Sequence, residues 1–441
     1  MTAKHATGLI WFNLDLRITD NLTLIKAAQE CQQLVCCFVI DESWFKGNRY
    51  GIQGISQQRW RFIQQSIADL AASLQQYGQQ LIIRKGQPTT EISTLISTLG
   101  VDSVYSSDDA GVYERRRWQT LTKRFPFIHF ERVSNHTLLN EQGLPFSLDN
   151  LPSTYSQFRK CFEPLAETLP NGQAQKHLKA LPPMPKRSIA TEATPFIEPS
   201  GYLKGGELAA HQHLSDYFAS SAAGSYKETR NALDSFTDST KFSAALAIGN
   251  LSPRQVIDAL RDYEQIHGAN ESTYWIVFEL MWREYFYWYL RCYQERVFKF
   301  SGIQNKKPVT SFYPQRFAAW CKGKTPYPIV NACMHQLNQT GYMSNRGRQL
   351  VASCLIHELQ LDWRYGAAYF EQQLLDYDVA SNWGNWQYLA GVGADPRGSR
   401  RFNLEKQTQI YDPNGEFIKR WHGDQAVSQI DFTDAADWPL S

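Results

Sequence analysis

The sequence predicts an α/β domain built on a parallel sheet, a long connecting segment, and an all-helical domain. Three observations carry that reading. Short apolar runs alternate with helical stripes through residues 1–133. A stretch rich in Pro, Ser and Thr dissolves the pattern over 134–200. From 201 to 441 no strand signal returns, and helical stripes follow one another to about Leu375.

The elements read in order as follows. "GLIWFN" is a buried strand and "NLTLIKAAQEC" a helix; "LVCCFVID" is a second strand. "ISQQRWRFIQQSIADLAASLQQYG" is a long helix with Gly78 as its stop signal. "QLIIRKG" and "VDSVYSS" are strands on either side of the helix "PTTEISTLISTLG". Strands that alternate with helices need crossover connections, which make the sheet parallel. Ligands on such sheets sit beyond the carboxyl ends of the strands. No GxGxxG follows the first strand, so the usual dinucleotide fingerprint is missing. "ALPPMPKRSIATEATPFIEPSG" reads as a surface-wrapping connection. In the helical part, Ser252 and Pro253 of "GNLSPRQVIDALRDYEQI" mark an N-cap and first helical position.

A chain of 441 residues exceeds one ordinary core and fits two or three domains. Aromatic residues reach 13%, with 13 Trp and 22 Tyr, which suits either a ring-filled core or a surface that stacks on rings. The net charge of +2 argues neither for nor against nucleic acid. Basic clusters occur at Arg115 to Arg117, Lys306 and Lys307, Arg346 and Arg348, and Arg397 with Arg400 and Arg401; singly, each reads as a solvated face. The eight Cys form no CxxC, which points to reduced thiols and a cytoplasmic location. The N-terminus has no long apolar core of the signal-peptide kind, and no stretch approaches the ~20 apolar residues of a membrane span.

Four stretches could carry chemistry. "DYDVASNWGNWQYLAGVGADPRG", from Asp376, gathers two carboxylates, amides and flat rings without a nucleophile, a mixture suited to gripping a large planar molecule. In "STYWIVFELMWREYFYWYLR", Trp275, Glu279, Trp282 and Phe286 share one helical face. A carboxylate amid rings needs a partner; a local pair with Arg283 and a functional role both remain open. In "STKFSAALAIGNLSPR", Ser239, Thr240, Lys241 and Ser243 offer hydroxyls and an amine of the kind that cradles phosphate, although ordinary caps look the same. "GYMSNRGRQ" adds Asn345, Arg346 and Arg348. No Cys or carboxylate stands at ligand spacing from His211 and His213, so no metal site is expected.

Along nearly its whole length the chain resembles the photolyase/cryptochrome flavoproteins. "LIWFNLDLRITDN", "STKFSAALAIGNLSPRQ", "FELMWREYF", "GKTPYPIVNACMHQLNQTGYMSNRGRQ", "LDWRYGAAYFEQQLLDYDVASNWGNWQ" and "GVGADPR" follow in family order. "MSNRGRQ", "YDVASNWGNWQY" and "GVGADPR" resemble the DASH-type cryptochromes in particular. The resemblance implies FAD in the helical domain and a 5,10-methenyltetrahydrofolate antenna held through Glu114 of "GVYERRRW". A plain surface carboxylate beside Arg115 and Arg117 is the rival reading of Glu114. The resemblance also implies that Tyr226, Ser239, Thr240, Lys241, Ser243, Arg283, Asn345, Arg348, Asp376, Asp378 and Asn382 hold the flavin, with Asn382 at its N5. It further implies that Glu279 reaches both flavin and lesion, that Trp282 packs on the lesion, and that Trp386 with Trp363 passes electrons. Arg346, Arg397, Gln349 and Tyr388 would face DNA.

The chain departs from the family pattern at three positions. Tyr388 replaces the second Trp of a "WQW", and Gln349 replaces a lesion-facing Met. Both changes weaken apolar stacking on a flipped base, a contact worth ~1–3 kcal/mol. Flipping costs least in single strands. The third electron-chain Trp falls near Thr310, where none stands, with Tyr313 or Trp320 as substitutes. The implied function is blue-light repair of cyclobutane pyrimidine dimers in single-stranded DNA by electron transfer from excited reduced FAD, in a chain expected to be monomeric. The alternative is a blue-light receptor that binds DNA or RNA. Only a short polar stretch follows Trp421, which disfavours a receptor of the plant kind.

Overall fold

The computed structural model describes residues 4–168, 178, 180–187, 189–195, 200–394, 398–427 and 430. The first half runs β1 (His5–Phe12), α1 (Leu22–Glu30), β2 (Cys31–Asp41), α2 (Gln57–Gln76), β3 (Leu81–Gly86), α3 (Pro88–Leu99), β4 (Ser103–Ser107), α4 (Val112–Arg124) and β5 (His129–Val133). The strands form one parallel sheet in the order β3-β2-β1-β4-β5. Alternate residues serve opposite faces. Ile10, Phe12, Cys36 and Phe38 pack with α1 and α2, while Leu9, Trp11, Val35 and Cys37 pack with α3 and α4. Burial on both faces explains why these strands read as unbroken apolar runs. The chain reverses direction between β1 and β4, which leaves a crevice beyond their carboxyl ends.

α2 ends as expected: Gly78 takes φ +70° just after the C-cap Tyr77. β5, "HFERV", was not legible. It lies at a sheet edge, and none of its five side chains is fully buried, so it lacks an apolar run.

The connecting segment is less irregular than expected. It holds α5 (Tyr155–Glu167), capped by the Thr154 hydroxyl, which accepts from the Gln157 N–H. Tyr155, Phe158 and Phe162 stand at i, i+3 and i+7 and bury one face in the helical core.

The helical part comprises α6 (Glu207–Ala219), α7 (Tyr226–Thr229), α8 (Ser243–Ile248), α9 (Pro253–His267), α10 (Glu271–Tyr293), α11 (Pro314–Cys321), α12 (Pro328–Thr340), α13 (Asn345–Ser353), α14 (Trp363–Gln373), α15 (Val379–Leu389), α16 (Leu404–Tyr411) and α17 (Glu416–Arg420). α9 starts at Ser252 as read, with a reciprocal cap to Gln255. α10 is the central helix. Two helical glycines let α15 approach its neighbours: a Cβ on Gly366 would lie 2.2 Å from the Trp386 ring, and one on Gly384 2.3 Å from Phe286.

A buried guanidinium joins the halves. Arg17, in the loop after β1, donates to the carbonyls of Thr19, Asp20, Asn135 and Gly249 and to the Asn135 side chain. Beside it, Asp20 pairs with Arg254 of α9. Among the described residues no helix is long and apolar enough to cross a membrane.

Candidate functional site

A cavity of about 530 Å³ opens within the helical part, walled by α7, α8, α10, α13, α14 and α15. That volume is in the range of small-molecule and cofactor sites. Nearly all the expected residues line it: Tyr226, Ser239, Thr240, Lys241, Ser243, Glu279, Trp282, Arg283, Asn345, Arg346, Arg348, Gln349, Asp376, Asp378, Asn382, Trp386 and Tyr388. A more open cleft of about 760 Å³ lies between α1, β5 and the segment after it. It carries none of these residues, and charges in its wall are already paired, as in Lys26 with Glu131 and Arg132 with Asp108.

One end of the cavity is cationic. Lys241 is buried at φ +51°, and its amine donates to the Ser235 carbonyl and the Ser239 hydroxyl. Burial lowers its pKa to about 8, against the pull of Asp238 and Asp234. No carboxylate is within salt-bridge reach of this amine among the described residues. Such a group gains from an incoming anion. Arg348 donates to both Asp376 oxygens, at 2.9 and 2.8 Å, and to the Met343 carbonyl. Asp378 caps α15 by accepting from the Ser381 N–H at 2.7 Å.

The floor is flat and apolar. Trp386 packs edge-on against Phe370 and Trp320, at 5.2 and 6.3 Å between centroids. Asn382 is buried one turn earlier, and its amide donates to the Ala367 carbonyl at 3.0 Å. That bond orients the side chain toward the space its neighbours enclose. A cationic, hydroxyl-lined end and a broad apolar floor with one fixed amide fit a dinucleotide that carries a flat ring system.

The rim carries rings and the acid. Glu279 pairs with Arg230, and the local pair with Arg283, one of the two readings left open, does not form. Arg283 instead donates to the His136 carbonyl. The i+4 spacing misled because the linker and α7 supply nearer partners. The Glu279 side chain is 34% exposed, yet that surface lines a cavity crowded by protein. Desolvation therefore raises its pKa, opposed by Arg230. Trp282 stacks on Tyr155 of α5, at 3.6 Å and 9°, and on Phe286. Tyr388 meets Trp282 edge-on at 6.0 Å, and the Arg400 guanidinium lies 4.6 Å from the Tyr388 ring centre. Arg346 bonds Asn231 and Gln407 and lies over Tyr411.

Two expected residues, Trp363 and Glu114, stand outside the cavity wall. Trp363 is fully buried outside the cavity wall, edge-on to Trp383 at 5.8 Å. Of the two substitutes for the missing Trp, Trp320 touches Trp386, whereas Tyr313 lies under Arg316. Glu114 opens α4 at the crevice between β1 and β4. Its flanking arginines bond elsewhere, Arg115 to Asp108 and Arg117 to Asp41. Beside it, Asp109 is pushed to about 8 by burial and by the charge on Glu114, and one of its oxygens has no partner. The enclosed space there is about 20 Å³, room for about one water. Arg397 falls outside the described residues.

Sequence reasoning missed Arg230 and Tyr155. Tyr226 and Arg230 are four residues apart, and Tyr155, Phe158 and Phe162 recur at i, i+3 and i+7, so helical spacing held a signal for each.

Comparison with known proteins agrees with this geometry. Residues 8–179 match a family model described as DNA photolyase, and 275–429 one described as the FAD binding domain of DNA photolyase. The chain is 54% identical to cryptochrome DASH of Idiomarina loihiensis, covering 99% of this chain and 97% of that protein. It is 51% identical to cryptochrome DASH of Vibrio parahaemolyticus, covering 99% and 98%. The crystal structure of a Synechocystis cryptochrome superposes with a TM-score of 0.90 at 36% identity, covering 96% of this chain and 89% of that one.

Proposed function

The chain belongs to the photolyase/cryptochrome family, among the DASH-type cryptochromes, and from that premise we propose that it splits cyclobutane pyrimidine dimers in single-stranded DNA under blue light. The observation that carries this reading is Glu279, a carboxyl raised by desolvation at the rim of the flavin-sized cavity and paired with Arg230. Bound FAD would supply the electron that the dimer takes up and returns.

The chain's own residues would do the rest. Lys241, Ser239, Thr240 and Ser243 would hold the phosphates, with Tyr226 and Asn345 at the sides. Arg348 and Asp376 would hold the flat ring in register, with Arg283 and Asp378 beside it. Asn382 would stand at the ring's N5. Its amide is already held by the Ala367 carbonyl, which keeps the contact short of random rotation. Glu279, protonated or hydrogen-bonded, would steady negative charge on the opened dimer. Trp282, backed by Tyr155, would present its ring to the lesion.

Preference for single strands follows from the same rim. The Tyr388 ring is occupied by Arg400, and Gln349 offers an amide in place of an apolar surface. One base stack, ~1–3 kcal/mol, would offset much of what flipping from a duplex costs, so its loss leaves that cost unmet. Arg346 and Arg397 would meet phosphates. Glu114, with protonated Asp109, offers an acceptor and a donor to the amines and ring nitrogens of a folate antenna.

The test is repair of a thymine dimer in matched single-stranded and double-stranded oligonucleotides under blue light, with a dark control. Repair of the single strand alone supports the proposal. Equal repair of both removes the argument from Tyr388 and Gln349. Repair of neither, by protein with bound reduced FAD, favours a light receptor that binds DNA or RNA.

A further inference from the structure

We propose that His5, Glu30 and His129 form a binding site for a zinc-class divalent transition-metal ion at the amino-end edge of the sheet. The three residues come from the start of β1, the end of α1 and the start of β5. Each offers a ligand atom, and these atoms all lie within 4.8 Å of one another. Two imidazoles and one carboxylate are a donor set that suits zinc-class ions, with a fourth position left for water. The site shares no residue with the flavin-sized cavity.

The surroundings hold the ligands in the way metal sites require. A ligating group is normally fixed by a hydrogen bond from its far side. The Glu30 carboxylate accepts from the Tyr105 hydroxyl at 2.9 Å. The His129 Nε2 lies 3.0 Å from Glu131, which Lys26 holds in turn. Tyr105 sits against both rings, 6.5 Å from His5 and 6.1 Å from His129 between centroids. The Glu30 carboxylate already carries a cation, the Lys4 ammonium at 2.7 Å. Lys4 is 69% exposed, so a divalent ion displaces it into water. The imidazoles stack near parallel, at 4.9 Å and 18°. Both must splay to turn nitrogens onto one ion, and His129, at the exposed edge, moves into solvent rather than core.

The test is calorimetric titration of the tag-free full-length chain, in a Cys161→Ser background that removes an exposed thiol. The probes are zinc chloride and, as the oxygen-seeking control, magnesium chloride. We expect one zinc ion per chain, no magnesium heat, and a higher Tm with zinc. His5→Ala and His129→Ala should each weaken zinc binding by more than about a hundredfold, and Glu131→Gln by about 10–100-fold. Circular dichroism and flavin content identify a misfolded variant, for which His129→Gln at the exposed edge is the substitute. Zinc binding of equal strength in these variants, or no zinc binding beyond the magnesium level, overturns the proposal.

Discussion

Tyr155 of the connecting segment and Trp282 of α10 lie face to face, 3.6 Å apart at 9°, so the segment that reads as linker backs a ring of the cavity wall. Tyr155 also ties itself to α10 by donating its hydroxyl to the Phe278 carbonyl at 3.0 Å. Tyr155→Ala should cost about 3 kcal/mol of stability, the usual scale for emptying a buried aromatic site. It should also weaken binding of a dimer-containing single strand. Tyr155→Phe keeps the stack and should cost only about 1 kcal/mol. Chemical denaturation and fluorescence anisotropy read the two effects.

Glu279→Ala should keep FAD and lose most of its repair quantum yield. Glu279→Gln, which can still donate a hydrogen bond, should keep more. Arg230→Ala removes the cation that opposes desolvation, so the Glu279 carboxyl should titrate at still higher pH. Repair quantum yield against pH separates these cases, and equal yields in Glu279→Ala and the parent chain would sink the assigned role.

Trp386→Phe should block photoreduction of oxidised flavin. Trp320→Phe should slow it more than Tyr313→Phe, because Trp320 is the ring that touches Trp386. Flavin absorbance under steady blue light reports the order, and an unaffected Trp386→Phe would mean the electron enters by another route.

Lys241 should leave a pH signature in FAD-free protein. Its folded pKa of about 8 lies below the ordinary lysine value of 10.5. The folded state therefore binds this proton less tightly than the unfolded state does. The group's share of stability is full above 10.5 and is lost as pH falls toward 8, a penalty of about 3 kcal/mol at neutral pH. Lys241→Met should raise the Tm of FAD-free protein at pH 7 and weaken FAD retention. A lower Tm in the variant would contradict the sign.

Gly384→Ala drives a methyl group into Phe286. Overpacking costs about 1–3 kcal/mol and better helix propensity returns up to about 1, so the net effect is a loss. Because α15 also carries Asn382 and Trp386, FAD content should fall with the Tm. The bound flavin-to-protein absorbance ratio checks this.

The parallel sheet was legible because strands buried on both faces leave apolar runs in the sequence, as in "LVCCFVI". β5 was not, because an edge strand can be polar. The cavity wall was legible through the family resemblance, since composition and spacing alone left phosphate cradles and caps indistinguishable. The partner of Glu279 was not, because Arg230 lies 49 residues earlier and only tertiary packing joins them. Spacing allowed Arg283 as a partner, but that guanidinium donates to the His136 carbonyl. The metal-ligand cluster was likewise invisible, because His5, Glu30 and His129 meet only once β1, α1 and β5 assemble.

The Arg17 guanidinium has a consequence for how such proteins can be recombined. Its donors end on backbone that belongs to the loop after β1, to the start of the connecting segment and to the stretch before α9. Burial lowers its pKa to about 10 even with these acceptors in place. Strip away either half and a charge built for enclosure is left without the carbonyls that make enclosure tolerable. Chimaeras that swap the sheet half between relatives should therefore succeed only when Arg17, Asn135 and the Gly249 turn travel as a set. The crossover point that keeps function is then dictated by one side chain and not by the stretch that looks most like a linker.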